Sequence, residues 1–210
     1  MIRPILSLGQ GSVSDEIQFL RLWLRRPRRL GAVLPSGRAL ATAMAGCLDV
    51  DRAGSVVELG GGTGSITRAI VAAGVVPGDL FVIEREAALC DVIASRCPGV
   101  RVLRGDARDL QSLLRHAGAS NVKAIVSGLP FLSLEKHVGR RILNAAFAVL
   151  AEDGEFLQFT YGLNPPIGRE TQADLGIVGR RSGWVLANLP PAAIWRFRRM
   201  AATSRERCVA

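Results

Sequence analysis

The chain lacks an apolar run of the roughly 18 residues that a membrane-crossing helix needs. Its first ten residues also lack the basic start and long apolar stretch of a secretory signal, so folding in the cytosol is expected. Cysteine is scarce: Cys47, Cys90, Cys97 and Cys208 have no metal-ligand spacing, and neither a metal nor a disulfide is expected. Lysine is nearly missing, with Lys123 and Lys136 the only two, and tyrosine occurs once, as Tyr161. No internal repeat and no linker divides the 210 residues, a length that suits one α/β domain with a sizeable core. These absences speak against membrane-crossing helices, a disulfide-knit secreted domain and a metalloprotein.

What is present is arginine, unevenly placed. Residues 1–38 hold seven arginines against Asp15 and Glu16, and residues 169–210 hold eight against Glu170, Asp174 and Glu206. Residues 39–168 nearly balance, with twelve basic and thirteen acidic residues, so the net charge of +9 sits at the two ends. Basic ends suggest an anionic partner, either a membrane surface or nucleic acid. The periodicity of SDEIQFLRLWLRR predicts an amphipathic helix at 14–26. Its apolar Phe19, Leu20, Trp23 and Leu24 beside Arg21, Arg25, Arg26, Arg28 and Arg29 form an interfacial-helix composition. Five arginines at about 1 kcal/mol each give at most ~5 kcal/mol against anionic lipid, which predicts reversible attachment. The rival reading is an ordinary helix that caps the fold with solvated arginines.

From residue 55 strands and helices alternate. Strands are expected at 55–59, 80–84, 100–103, 122–127 and 155–160, with helices at about 65–73, 87–96, 110–117 and 135–150. The tail changes to two strands, 177–186 and 193–198, joined through a proline-rich turn, and a small-residue helix is expected at 36–48. The fold class is α/β: a Rossmann-like, seven-stranded sheet, mostly parallel, with a C-terminal antiparallel hairpin and an N-terminal helical extension. Three regions follow: 1–54 as a membrane-binding and lid segment, 55–200 as the cofactor-binding domain, and 201–210 as a basic tail.

The sequence VVELGGGTG at 56–64 runs a strand into Gly60, Gly61, Gly62, Thr63 and Gly64 before a helix. Glycines there let the backbone turn and approach a ligand. Glu58, two residues before the loop, would repel a pyrophosphate. It suits the ammonium and sulfonium charges of S-adenosylmethionine, directly or through water. Glu84 closes the second strand, where a carboxylate can accept from ribose hydroxyls. Asp106 closes the third and can accept from the adenine amino group, with Ala107 leaving room for the ring. Leu59, Arg85, Gly105, Ser127, Gly128 and Leu129 complete the expected S-adenosylmethionine site.

The fourth strand ends in SGLPFL at 127–132, the loop that faces the methyl group in this fold. Adenine-N6 methyltransferases carry Asn or Asp there before Pro-Pro-Tyr or Leu-Pro-Tyr, and this chain has Ser127-Gly128 instead. From Phe19 to about Met200 the chain resembles the soluble bacterial phospholipid N-methyltransferases that act on phosphatidylethanolamine. The matching segments are FLRLWLRRPRRLGAVLPSGRALA (19–41), VVELGGGTG, VIER (82–85), VSGLPFLS (126–133), FLQFTYG (156–162) and NLPPAAIWRF (188–197). It departs from that family at Gly61, where proline is common. The resemblance implies up to three methylations of the phosphatidylethanolamine headgroup, towards phosphatidylcholine. An anionic membrane surface and a phospholipid substrate are then the partners. Nucleic acid is not expected as a partner, the protein is expected to be a monomer, and its place is the cytoplasm with reversible membrane association.

Methyl transfer needs a neutral amine. If its pKa is near the ~10.4 of lysine, deprotonation at pH 7 costs about 4–5 kcal/mol. Tyr161, just past strand five, is a candidate to hold the ammonium by cation–π contact and to relay a proton. It is equally readable as a tyrosine packed under a lid. Ser127 and Phe131 are the other expected catalytic-site residues. His116 and His137 fall on helices away from the motif loops and are not expected to act as bases. Two other functions stay open: an RNA adenine-N6 methyltransferase, and a non-catalytic membrane- or nucleic-acid-binding protein with a retained pocket.

Overall fold

The computed structural model describes residues 34–188 and 190–200. The expected helix at 14–26, with Phe19, Arg21, Trp23, Arg25 and Arg26, lies outside the described residues, as do Arg28 and Arg29 beyond it, the tail at 201–210 and Cys208.

Seven strands form one sheet in the order β3-β2-β1-β4-β5-β7-β6. Strands β1 (Ser55–Leu59), β2 (Leu80–Glu84), β3 (Arg101–Arg104), β4 (Val122–Ser127) and β5 (Leu150–Thr160) are parallel. Strand β7 (Ala192–Arg199) is antiparallel both to β5 and to the outer strand β6 (Ile177–Val185). Every residue of β1, β2 and β4 is buried. Parallel strands covered on both faces require this, which is why these segments read as continuous apolar runs. The strand order reverses between β1 and β4, and the crevice at such a switch point is where open α/β sheets take ligands.

Helices cover both faces. Helices α4 (Leu110–His116) and α5 (Lys136–Val149) pack Leu110, Leu114, Ile142, Leu143 and Phe147 against Phe156. Helices α1 (Leu34–Ala45), α2 (Ser65–Ala72) and α3 (Ala87–Arg96) pack Leu40, Met44, Ile70 and Ile93 against Val126 and Leu157. The buried stripe of α5 (Gly139, Ile142, Leu143, Ala146, Phe147) follows the three-four spacing that makes one helix face apolar. Each large side chain so buried stabilises the fold by about 1.5–3 kcal/mol. Along β5 successive side chains alternate, so Phe156 joins one layer while Leu157, Phe159 and Tyr161 join the other.

The helix expected at 36–48 runs Leu34–Ala45 and the strand expected at 100–103 runs Arg101–Arg104, and two further details differ from the sequence expectation. Strand β5 starts at Leu150, not 155: Leu150 pairs with Val122, and a register shift precedes the pairing of Glu155 with Ala124. The intervening AEDG has no apolar alternation to announce a strand. Helix α6 (Arg169–Asp174) was not expected, because its six residues carry no apolar stripe. Side-chain bonds tether it instead: Gln172 donates to the Ile167 carbonyl (2.7 Å) and accepts from the Gly179 N–H (2.9 Å), and Arg140 pairs with Asp174 at 2.8 Å.

Candidate functional site

The ends of β1, β2 and β4 are stitched together by backbone bonds. Gly60 N–H donates to the Ile83 carbonyl (2.9 Å), and Gly128 N–H donates to the Leu59 carbonyl (2.8 Å). Leu59 therefore contributes backbone here, while its side chain is wholly buried in the core. Gly60, Gly62 and Gly64 all have left-handed φ values, of 75°, 53° and 77°. Such values favour glycine, and they turn the chain from β1 into α2. A Cβ at Gly62 would meet nothing within 4 Å, so this is the open side of the loop. Thr63 is exposed, and its carbonyl accepts from Arg96 (3.2 Å).

Gly61 explains the run of three glycines. A Cβ there would lie 2.4 Å from Val82 Cγ1 and 2.7 Å from Ile93 Cδ1, so α3 and β2 close directly on the loop. Proline, common at this position in the family the sequence resembles, has no room beside this Val82 and Ile93. Gly61→Ala is expected to cost about 1–3 kcal/mol by overpacking. Adding Val82→Ala should recover part of it, as coupled neighbours do. Denaturant midpoints of the single and double variants check this, and additive losses would contradict it.

Glu58 is fully buried on the α2 side of β1. Its Oε2 accepts from the Thr67 hydroxyl at 2.6 Å, while Oε1 is buried without a partner among the described residues. Burial raises its pKa to about 8; the Thr67 bonds pull it back and the Glu84 charge adds to the rise. A carboxyl with an unfilled acceptor and a suppressed charge is a place where a cationic group is favoured.

Glu84 is held by three backbone donors. Its Oε2 accepts from Gly62 N–H (2.9 Å), and Oε1 accepts from Arg85 N–H (2.7 Å) and Glu86 N–H (3.0 Å). A carboxylate offers about four acceptor positions, so among the described residues one remains, on Oε2. Asp106 is more committed than the sequence suggests. Arg108 donates to it through backbone N–H (2.9 Å), Nε (2.9 Å) and Nη2 (2.8 Å), and the Arg85 guanidinium lies 3.9 Å away. Arg108 holds the Asp106 carboxyl below the usual carboxylate range, against a smaller opposing effect of burial. Gly105 packs under Leu113, and Ala107 is buried in the turn that follows.

Ser127 is fully buried, and its hydroxyl accepts from Leu129 N–H at 3.2 Å. Gly128 approaches so closely that a Cβ would lie 2.9 Å from the Gly60 carbonyl oxygen. Phe131 packs edge-on to Phe156, with centroids 5.8 Å apart, in the α4–α5 layer. Tyr161 packs with Phe159, at 5.6 Å, in the opposite layer, so the structure does not bring these two aromatic candidates together. Burial pushes the Tyr161 phenol up, partly offset by a hydrogen bond with the Asn188 side chain. His116 and His137 are exposed on helices.

Three contributors escaped the sequence reading. Thr67 supports Glu58. Gln158 donates to the Leu129 carbonyl (2.9 Å) and so pins the loop after β4. Asn188 donates to the Pro190 carbonyl (2.7 Å) and orders the turn beside Tyr161. Gln158 alone carried a visible signal, as an amide inside the apolar run FLQF. Among the described residues no helix is long and apolar enough to cross a membrane, and no cluster of His, Cys, Asp or Glu could hold a metal.

No family model matches the chain. It is 31% identical over 152 residues to the ornithine lipid N-methyltransferase of Singulisphaera acidiphila, covering 70% of this chain and 79% of that protein. Among solved structures it is similar to 1,6-didemethyltoxoflavin-N1-methyltransferase of Burkholderia thailandensis with bound S-adenosylhomocysteine (TM-score 0.64, 14% identity, 93% and 94% of the two chains). It is also similar to magnesium protoporphyrin IX methyltransferase of Synechocystis (TM-score 0.63, 10% identity, 92% and 100% of the two chains). At these identities the structures establish the fold: the seven-stranded sheet of the class I methyltransferases.

Proposed function

We propose a membrane-lipid amine as the methyl acceptor of this chain, which belongs to the family of the ornithine lipid N-methyltransferase within the class I S-adenosylmethionine-dependent methyltransferases. The observation that carries the acceptor is the likeness to that lipid enzyme over 79% of its length. The finer reading is phosphatidylethanolamine, supported by the ordered motifs SGLPF, FTYG and NLPPAAIW. The second reading is an ornithine lipid, favoured by the relative itself. Both lipids present a primary amine at the membrane surface.

S-adenosylmethionine, when bound, supplies an electrophilic methyl group on a sulfonium. The residues fit it: the open face of Gly62, the unfilled Oε1 of Glu58 and the free Oε2 position of Glu84 offer backbone access, a counter-charge and a ribose acceptor. Arg108 keeps Asp106 ionised at the rim. Tyr161 stays a neutral phenol at physiological pH, so it can accept a hydrogen bond from an ammonium and offer its ring face to the charge. Positioning and exclusion of water supply much of the rate in such a site.

An adenine acceptor is disfavoured. It needs an amide or acid where Gly128 has no room for a Cβ and where the Ser127 hydroxyl is already engaged.

Incubation with labelled S-adenosylmethionine and vesicles containing phosphatidylethanolamine, ornithine lipid or neither is the test. Label is expected in an amine-bearing lipid, at least tenfold above vesicles without one. Label in RNA and in neither lipid would overturn the reading.

A further inference from the structure

Exposed leucine and tryptophan are unevenly distributed over the described residues. Leu132, Leu163, Trp184 and Leu186 are exposed by 53%, 75%, 38% and 76%. Leu132 lies in the turn after β4, Leu163 just past β5, and Trp184 and Leu186 at the end of β6. The chain direction reverses from β5 to β7 and again to β6, so β6 ends at the same sheet edge as β4 and β5. That edge carries Glu58, Glu84 and Tyr161. The other exposed large apolar residues are Val50, Val76 and Val178, which precede β1, precede β2 and open β6, at the opposite edge. Scattered single apolar residues carry no meaning, but three separate loops all placing one at the mouth of a site do.

The β6–β7 hairpin that carries Trp184 and Leu186 is basic along its length, with Arg198 and Arg199 towards the opposite edge and Arg181 beside the rim. From Ile177 to Arg199 the hairpin holds five arginines and no acid. Glu155 takes Arg196 and Arg198. Arg180 and Arg181 are exposed and form no ion pair among the described residues, and the Arg181 guanidinium lies 5.2 Å from the centre of the Trp184 ring. An aromatic ring beside an arginine, flanked by protruding leucines, is suited to the headgroup level of a bilayer.

We propose that Leu132, Leu163, Trp184 and Leu186 form a rim that docks on an anionic lipid surface and sets the mouth of the site at headgroup depth. The rim belongs to the catalytic domain and is distinct from the helix expected at 14–26. The inference rests on the lipid-amine reading above. A site whose acceptor is anchored in a membrane must present its open edge to that membrane, and this is the edge that carries the apolar side chains.

The test combines Leu132→Ser, Leu163→Ser and Leu186→Ser in the full chain. At roughly fivefold per half-inserted leucine, affinity for phosphatidylglycerol vesicles in sedimentation should fall about hundredfold. The apparent KM for a lipid amine in those vesicles should rise with it. Methylation of a water-soluble, short-chain form of the same lipid should keep its kcat/KM, which also shows that the variant is folded. Arg180→Ala with Arg181→Ala should weaken binding to anionic vesicles and leave binding to neutral ones unchanged. Unaltered vesicle affinity in the triple variant overturns the proposal. So does loss of a dimer in sedimentation velocity, or loss of RNA retention on filters, with vesicle binding intact. Wild-type protein that methylates no lipid in either form defeats the lipid-amine reading instead, a result distinct from a variant that merely matches wild type.

Discussion

Glu58→Gln is expected to stabilise the cofactor-free protein at pH 8 by about 2–4 kcal/mol and to have little effect at pH 5. Glu58 is wholly buried and, among the described residues, has one bonded and one unbonded oxygen. Burial raises its pKa from 4.5 to about 8. In the unfolded chain the group ionises near its ordinary value. Between about pH 5 and pH 8 the folded state therefore holds a proton that the unfolded state has lost. Stability is then greatest at low pH and falls by about 1.4 kcal/mol per pH unit until the folded pKa is passed. The Asp106 shift has the opposite sign, and its effect lies below this window. The glutamine variant cannot ionise, so its stability should be nearly level from pH 5 to pH 8. It still buries an amide, which limits the gain. Urea titrations of both proteins at the two pH values decide the matter, and parallel pH profiles would remove Glu58 as the cause.

The same proton links to the cofactor. A cationic group beside Oε1 favours the carboxylate over the acid, so binding below pH 8 should release a proton. Affinity should rise with pH, at most tenfold per unit, and flatten above pH 8. Calorimetry in buffers of different ionisation enthalpy counts that proton. In Glu58→Gln the count should vanish, the affinity should be lower at pH 8 and above, and the two proteins should converge towards pH 5, where Glu58 is itself uncharged. In the proposed site stability and binding thus oppose each other at one residue: the charge that disfavours the empty fold is the charge that a cationic ligand would need.

Much of this site was legible in the sequence because strand ends and their following residues are local features. The strand expectations at Ser55–Leu59, Leu80–Glu84 and Val122–Ser127 agree with the structure because buried parallel strands are continuous apolar runs bounded by glycine or polar residues. Those strands place Glu58, Glu84 and the SGLPF loop at one edge. What was not legible depends on contacts between distant segments. The need for glycine at 61 comes from Val82 and Ile93, and the need at 128 comes from the Gly60 carbonyl. No spacing rule within the loop carries that information. Nor does sequence say that Arg108 takes up most of the Asp106 carboxylate, or that Phe131 and Tyr161 belong to opposite layers. Helix α6 was silent because side-chain bonds to Ile167 and Gly179, not an apolar face, hold it.

Glu84→Ala is expected to weaken cofactor binding by two orders of magnitude or more. A hydrogen bond to a charged acceptor contributes about 1.5–3 kcal/mol, so loss of the proposed ribose contact alone would account for roughly tenfold to hundredfold. The structure adds a second loss. Glu84 is also the clamp on Gly62 N–H, at 2.9 Å, and on the N–H groups of Arg85 and Glu86. Without it the glycine loop loses its side-chain tether to β2 and must be ordered by the ligand at the ligand's expense. The same three donors explain why Glu84→Gln should be nearly as poor. A glutamine has one acceptor oxygen, so its amide N–H₂ must face either Gly62 N–H or the pair at Arg85 and Glu86, donor against donor. Thermal unfolding should fall modestly in both variants, because the freed N–H groups lie near the surface, while cofactor titration should fall severely. Equal losses of stability and affinity would make Glu84 a scaffold residue only. Unchanged affinity in Glu84→Ala would remove it from the site altogether.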